Sequence, residues 1–170
     1  MKTASFIQIL ANRRIAIMLP LGFASGLPLA LTSGTLQAWL TVAGLDLKTI
    51  GIFTLVGLPY TLKFLWAPLM DRLVPPWLGR RRGWMLVTQM SVALGLAAMA
   101  MTGPDQRPEI LGVLALVVAF LSASLDIAFD AYRTDVLLRP ERGFGAAVWV
   151  NGYRCALLVA SAGSLLLADH

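Results

Sequence analysis

Residues 110–129 read ILGVLALVVAFLSASLDIAF, an apolar run interrupted by a single charge, Asp126. A hydrocarbon core about 30 Å thick takes roughly 20 residues of α-helix, so this run is long enough to cross a bilayer. The run constrains the whole chain. Within lipid every backbone N–H and C=O must be bonded internally, which leaves helices or closed barrels as the spanning structures. Asp130 follows Asp126 by four residues and Arg133 follows by seven. Helical spacing puts these three on one stripe. A charge at membrane depth costs roughly 2.5–3.5 kcal/mol on insertion scales. The stripe is therefore expected to face protein or a water-filled path.

The rest of the chain agrees. It is 58% apolar and only 14% charged, where a soluble domain carries about 25% charged residues. Mean hydropathy is +0.74. These values predict an all-α integral membrane protein. Five transmembrane helices are expected, at about 15–40, 51–69, 84–101, 110–131 and 145–167, in one membrane domain without a linker. Residues 70–83 and 132–143 are expected to be charged loops. The first span holds Pro20, Gly22, Gly26, Pro28 and Gly34, which suit either close helix packing or a flexible, cavity-lining helix. The third span has no charge and is the one best suited to lipid. An inverted repeat of three spans would need a sixth. An incomplete chain, or a unit that needs a partner, is therefore expected.

Charge gives orientation. The lead and the second and fourth loops carry ten basic residues: Lys2, Arg13, Arg14, Arg72, Arg80, Arg81, Arg82, Arg133, Arg139 and Arg142. The other two loops carry Lys48 and Arg107. Lys/Arg excess marks the cytoplasmic side, so the N-terminus is expected inside and the C-terminus outside. Topology thus accounts for the net charge of +5, and no nucleic-acid partner is expected. Trp39, Trp66, Trp77 and Trp84 lie near span ends, where interfacial aromatics collect. The first apolar run is too long for a signal-peptide core and lacks an A-x-A site, so it reads as a retained span.

Chemistry is sparse. Cys155 stands alone, which excludes an internal disulfide, and it reads as packing. The sole histidine is His170, so no His/Cys metal cluster is available. No phosphate-cradling G-x-x-x-x-G-K-[ST] occurs. No cofactor is expected, and a membrane enzyme is the weakest reading.

What remains is buried charge. Lys63 lies six residues before the end of the second span, roughly 9 Å from the cytoplasmic edge at helical rise, and Asp126 is about as deep. Arg154 enters the fifth span from the same side, about 14 Å up. One reading is a protonatable network in which Asp126 or Asp130 exchanges a proton and Lys63 and Arg154 tune it. The other is a static ion pair that lets polar helices insert. Arg133, Asp135 and Arg139 are expected to be loop charges. Tyr60 and Asn151 each stand three residues before Lys63 and Arg154, on the same helical faces. With Gln37 they are candidates to bind sugar hydroxyls and peptide amides, or else interhelical hydrogen bonds.

The second loop, with Asp71-Arg72 and then Gly79-Arg80-Arg81-Arg82, resembles the later part of the G-x-x-x-D-R-x-G-R-R signature of the major facilitator superfamily. Ala67 replaces its first glycine, and Leu73 to Leu78 replace its single spacer. By that resemblance Asp71, Arg72, Gly79, Arg80 and Arg81 belong to a cytoplasmic gating loop. The segments GFASGLPLALTSGTLQAWL, LKTIGIFTLVG, KFLWAPLMDR, GRRRGW and DIAFDAYRTDVL, followed by ERG and GYR, are similar to the AmpG-type muropeptide permeases of that superfamily. Leu125 stands where that branch is expected to carry glutamine. The resemblance implies the first part of a major-facilitator amino-terminal bundle in the inner membrane. It implies import of anhydromuropeptides with protons, together with the missing carboxy-terminal spans. A transporter of another solute in the same branch, such as a different peptide or a coenzyme-linked acyl group, stays open. So does a non-transporting membrane subunit or scaffold.

Overall fold

A computed structural model describes residues 12–76, 78–102 and 108–168. Lys2, Trp77, Arg107 and His170 lie outside them. The described residues are mostly helical, and no strand occurs among them. Among the described residues, three helices are long and apolar enough to cross a membrane: Arg13–Val42, Arg80–Ala100 and Pro108–Val136.

The first of these is a composite rod. It runs as α1 (Arg13–Ala16), α2 (Met18–Ala30), a π-helical turn (Leu31–Thr35) and α3 (Leu36–Val42). Pro28 sits inside α2. The wide turn that follows leaves carbonyls over, and side chains satisfy them. Thr32 Oγ1 donates to the Pro28 carbonyl at 2.8 Å, and Ser33 Oγ donates to the Leu29 carbonyl at 2.6 Å. Buried hydroxyls of this kind are what let a membrane helix tolerate such breaks.

The second expected span, read from the sequence as one helix over 51–69, is broken. It runs as α4 (Leu47–Phe53), a 3₁₀ turn (Thr54–Gly57), α5 (Leu58–Leu62), a second 3₁₀ turn (Lys63–Leu65) and α6 (Ala67–Arg72). Pro59 and Pro68 lie in the first turns of α5 and α6. A proline cannot donate its backbone nitrogen and belongs at a helix start, so each begins a new segment. Asp46 opens α4 by accepting the Thr49 backbone N–H at 3.3 Å.

The last elements are α7 (Arg80–Ala100), α8 (Pro108–Val136), a 3₁₀ turn (Arg139–Glu141) and α9 (Arg142–Ala168). The fourth loop is therefore much shorter than 132–143. Arg133 and Asp135 stand on the last turn of α8, not in a loop. Arg139 does lie in the turn. The charges at Asp130, Arg133 and Asp135 do not stop the helix, which ends at Val136.

α9 packs most extensively against α2, and α7 against α8. The α2–α9 seam depends on reciprocal glycines. A Cβ at Gly22 would collide with the carbonyl oxygen of Trp149, and one at Gly152 with the carbonyl oxygen of Leu19. Backbone meets backbone there, the approach that small residues permit between membrane helices.

Two apolar clusters fill the interior. One gathers Leu36, Leu40, Phe53, Val56, Val92, Leu111 and Val118 with their neighbours. The other gathers Ile15, Met18, Leu125, Phe129, Leu137, Val148 and Trp149. Between them, along both the first rod and α8, lies a polar layer of buried Ser25, Thr32, Ser122 and Ser124. The outer faces are apolar, as Leu94 on α7, Val113 on α8 and Leu158 on α9 illustrate. In water such a surface would aggregate. In a bilayer it is the solvent-facing side.

Candidate functional site

The polar layer centres on Asp126 of α8. The Ser25 hydroxyl of α2 donates to its Oδ1 at 2.5 Å. Lys63 Nζ faces Oδ2 at 3.8 Å and reaches Asp130 Oδ2 at 3.6 Å. Asp130 also takes Arg133 Nη2 on Oδ1 at 3.0 Å. The Asp126 side chain is 16% exposed and that of Asp130 47%, so the pair grades from interior to edge. Lys63 arrives in this position because the second span breaks there, and its 3₁₀ turn aims the ammonium between two carboxylates one helical turn apart.

An aromatic frame surrounds the cluster. Trp66 stacks on Phe120 with centroids 4.8 Å apart, and its Nε1 donates to Ser124 Oγ at 3.0 Å. Phe129 meets Trp149 edge to face at 5.5 Å, and the Arg133 guanidinium lies 5.4 Å from the Trp149 ring. Such cation–π contacts hold a cation without consuming its hydrogen bonds. Trp66 thus serves inside the bundle, where sequence position alone suggested an interfacial anchor.

The structure brings Lys63, Asp126 and Asp130 together, but not Arg154. That side chain is exposed on α9 and forms no ion pair among the described residues. Asn151 is also exposed, and its Nδ2 donates to the Ala147 carbonyl of its own helix at 3.0 Å. Gln37 is half-buried on α3. Tyr60 is half-buried on α5, with its hydroxyl inside the bundle beside Ser122, Thr32 and Asp126.

The expected gating loop has its own geometry. Arg81 binds Asp71 at 2.6 Å through Nη1 and Asp135 at 2.9 Å through Nε. Arg80 Nη1 donates to the Asp71 carbonyl at 3.3 Å, and Trp84 Nε1 donates to the Leu73 carbonyl at 2.8 Å. Gly79 takes φ of 75°, which an L side chain rarely adopts, and so turns the chain into α7. Arg72 is exposed. Arg81 therefore ties the end of the broken helix to the end of α8, which also carries Asp126. At the same end, Asn12 Nδ2 donates to Glu141 Oε1 at 2.7 Å, and Glu141 Oε2 accepts the Leu138 N–H at 3.1 Å.

Sequence reasoning missed Ser25, Ser122, Ser124 and Trp66. Ser122 had a signal, since it stands four residues before Asp126 on the same stripe. Ser25 had none, because its pairing with α8 depends on how two distant helices dock.

The chain is similar to a family profile and to proteins from several bacteria. The family profile described as Acetyl-coenzyme A transporter 1 matches residues 14–107. The anhydromuropeptide permease of Escherichia coli K12 is 56% identical over 98% of this chain, which covers 34% of that protein. The anhydromuropeptide permease of Escherichia coli O157:H7 matches equally. An uncharacterized protein of Haemophilus influenzae is 44% identical over 92% of the chain and 37% of its own length. The chain thus spans about a third of the length of these relatives.

Proposed function

The chain belongs to the family described as Acetyl-coenzyme A transporter 1 and is similar to the anhydromuropeptide permeases of Escherichia coli, and from that premise we propose that it forms the amino-terminal part of a proton-coupled importer of anhydromuropeptides. It sits in the inner membrane with its N-terminus in the cytoplasm, as one membrane domain of five spans and the first part of a major-facilitator bundle. The remaining spans of the permease are its partner. Asp126 carries the coupled proton. Asp130 and Lys63 share its charge, and Gln37, Tyr60 and Asn151 stay candidates for substrate contact. Asp71, Arg72, Gly79, Arg80 and Arg81 form the cytoplasmic gating loop.

The observation that supports this reading most is the setting of Asp126. A carboxylate in a thin polar layer between two apolar clusters, held by Ser25 and faced by a shared lysine, suits proton loading better than a static pair does. A static pair would place Lys63 against one carboxylate. Here it stands almost equally far from two, so protonation of either lets the cation settle on the other.

The family description favours a second reading, a coenzyme-linked acyl group as the solute. The 56% identity to the Escherichia coli permease favours the muropeptide. Uptake of radiolabelled anhydromuropeptide into vesicles, with labelled acetyl-coenzyme A in parallel, separates the two. Accumulation of muropeptide that collapses with the proton gradient is the expected result. Accumulation of acetyl-coenzyme A alone overturns the reading.

A further inference from the structure

Within the expected spans the described residues hold two cations, Lys63 and Arg154. Lys63 is shared between Asp126 and Asp130. Arg154 is exposed, and its guanidinium makes no ion pair or hydrogen bond among the described residues. It stands twelve residues after Arg142 and fourteen before Ala168, the ends of α9. Roughly 18 Å of helix therefore lies on one side of it and roughly 21 Å on the other. With α9 as the fifth span, Arg154 comes close to the bilayer midplane. A core about 30 Å thick then leaves about 15 Å to either interface, farther than one side chain extends.

The direction of Arg154 follows from how α9 docks. Trp149, Gly152 and Ala156 meet α2, where a Cβ at Gly152 would strike the Leu19 carbonyl and one at Gly26 would crowd Ala156. At 3.6 residues per turn, residues 151, 154 and 158 point away from that seam, and all three are exposed. Asn151 Nδ2 returns to the Ala147 carbonyl of its own helix. Two polar side chains one turn apart thus share a face that offers neither a partner across it. Lipid does not suit that face, because an ionisable group at this depth turns toward protein or a water-filled path.

Two anions could answer the guanidinium: a carboxylate resident in the remaining spans, or one that arrives with the solute. Depth favours the solute, since secondary transporters bind substrate near the midplane between their two bundles. Charge favours it too. A resident carboxylate adds an insertion cost of its own, whereas a solute brings its charge and carries it away. We propose that Arg154 binds a carboxylate of the transported peptide through its planar fork of N–H donors. This rests on the chain as part of an anhydromuropeptide importer and on α9 as its fifth span. Peptide carboxylates are ionised at neutral pH, and a guanidinium fork matches their two oxygens as it cannot match a neutral amide. Arg154 then sets specificity for a charged peptide, and Asp126 keeps the proton.

The test uses the complete permease bearing these residues, in proteoliposomes, with two radiolabelled solutes: anhydromuropeptide and the same molecule with its peptide carboxylates amidated. Transport is read as substrate counterflow, which needs no net proton movement. The parent is expected to prefer the acid over the amide by about tenfold or more in KM, the worth of one charge-assisted pair. Arg154→Gln is expected to bring the two KM values within about twofold of each other by raising that of the acid. Arg154→Lys keeps the charge and loses the fork, and is expected to retain only part of the preference. A parent without the preference overturns the proposal. So does an Arg154→Gln variant that keeps it. If both its KM values rise together and its Tm falls, the partner of Arg154 is a resident carboxylate of the remaining spans. A parent that carries no anhydromuropeptide at all overturns the reading beneath, whatever the variants do.

Discussion

At the scale of single side chains, Asp126 is held by unequal partners. Ser25 gives it a true hydrogen bond, while Lys63 at 3.8 Å lies beyond hydrogen-bond distance and acts through its charge. Asp126→Asn is therefore expected to insert and fold at least as well as the parent, because it removes a costly charge, and to lose accumulation driven by a proton gradient. Counterflow with intact substrate binding should persist. Equal loss of both would remove Asp126 from the coupling role. Lys63→Ala leaves two carboxylates without their shared cation. Breaking a buried pair costs about 3–5 kcal/mol. Lys63 is 33% exposed, so the expected cost lies at or below about 3 kcal/mol, the low end of that range. Unfolding of the purified variant in denaturing detergent would measure it. Asp130→Asn, nearer the edge, should weaken transport less than Asp126→Asn. The sequence made this cluster legible because Asp126, Asp130 and Arg133 fall at helical spacing inside an apolar run. It left Arg154 misplaced, since equal depth says nothing about the direction in which a helix face points.

Elements show the same division. The long helices Arg80–Ala100 and Pro108–Val136 follow from composition, because an apolar run has few alternatives in lipid. The breaks in the second span were written in Pro59 and Pro68, but hydropathy averages over prolines and so conceals them. The persistence of α8 through Arg133 and Asp135 was hidden for another reason. Asp135 stays on the helix by pairing with Arg81, far away in sequence, and no local pattern reports such a partner. The glycines of the first span left two options open, and the docked helices decide for packing at Gly22. Gly152→Ala should destabilise the bundle by about 1–3 kcal/mol, the range for overpacking, because a backbone carbonyl stands in the way and cannot rotate aside. Gly163→Ala is the control. A Cβ there meets nothing within 4 Å, so the change should be neutral or stabilising by up to about 1 kcal/mol. Equal effects at the two positions would contradict the close α2–α9 seam.

For the whole molecule, the polar layer divides two apolar clusters, and the basic residues of the charged loops gather at the end that holds Arg81. With ten basic residues on the lead and even-numbered loops against two on the others, that end is the one expected to lie in the cytoplasm. A cysteine at Leu47, which is 85% exposed beside the helix-capping Asp46, is then expected to react with an impermeant maleimide added outside. One at Leu78 is expected to react only after the membrane is opened. Cys155, exposed on the flank of α9, should label poorly from either side if the fifth span crosses the bilayer as proposed. Labelling of Leu78 from outside would invert the orientation and put Asp126 nearer the opposite face. Transport as proposed would draw on two bundles. Alternating access rocks two bundles about a central site, and these residues match about a third of the relatives' length. The 170-residue polypeptide reconstituted alone is therefore expected to give no net muropeptide uptake, and joining it to the remaining spans of a related permease should restore transport. Robust uptake by the short chain alone would mean that several copies build the pathway together. The Asp126 cluster would then repeat around an axis of symmetry, and a single Asp126→Asn subunit mixed into the assembly would suffice to depress the coupled rate.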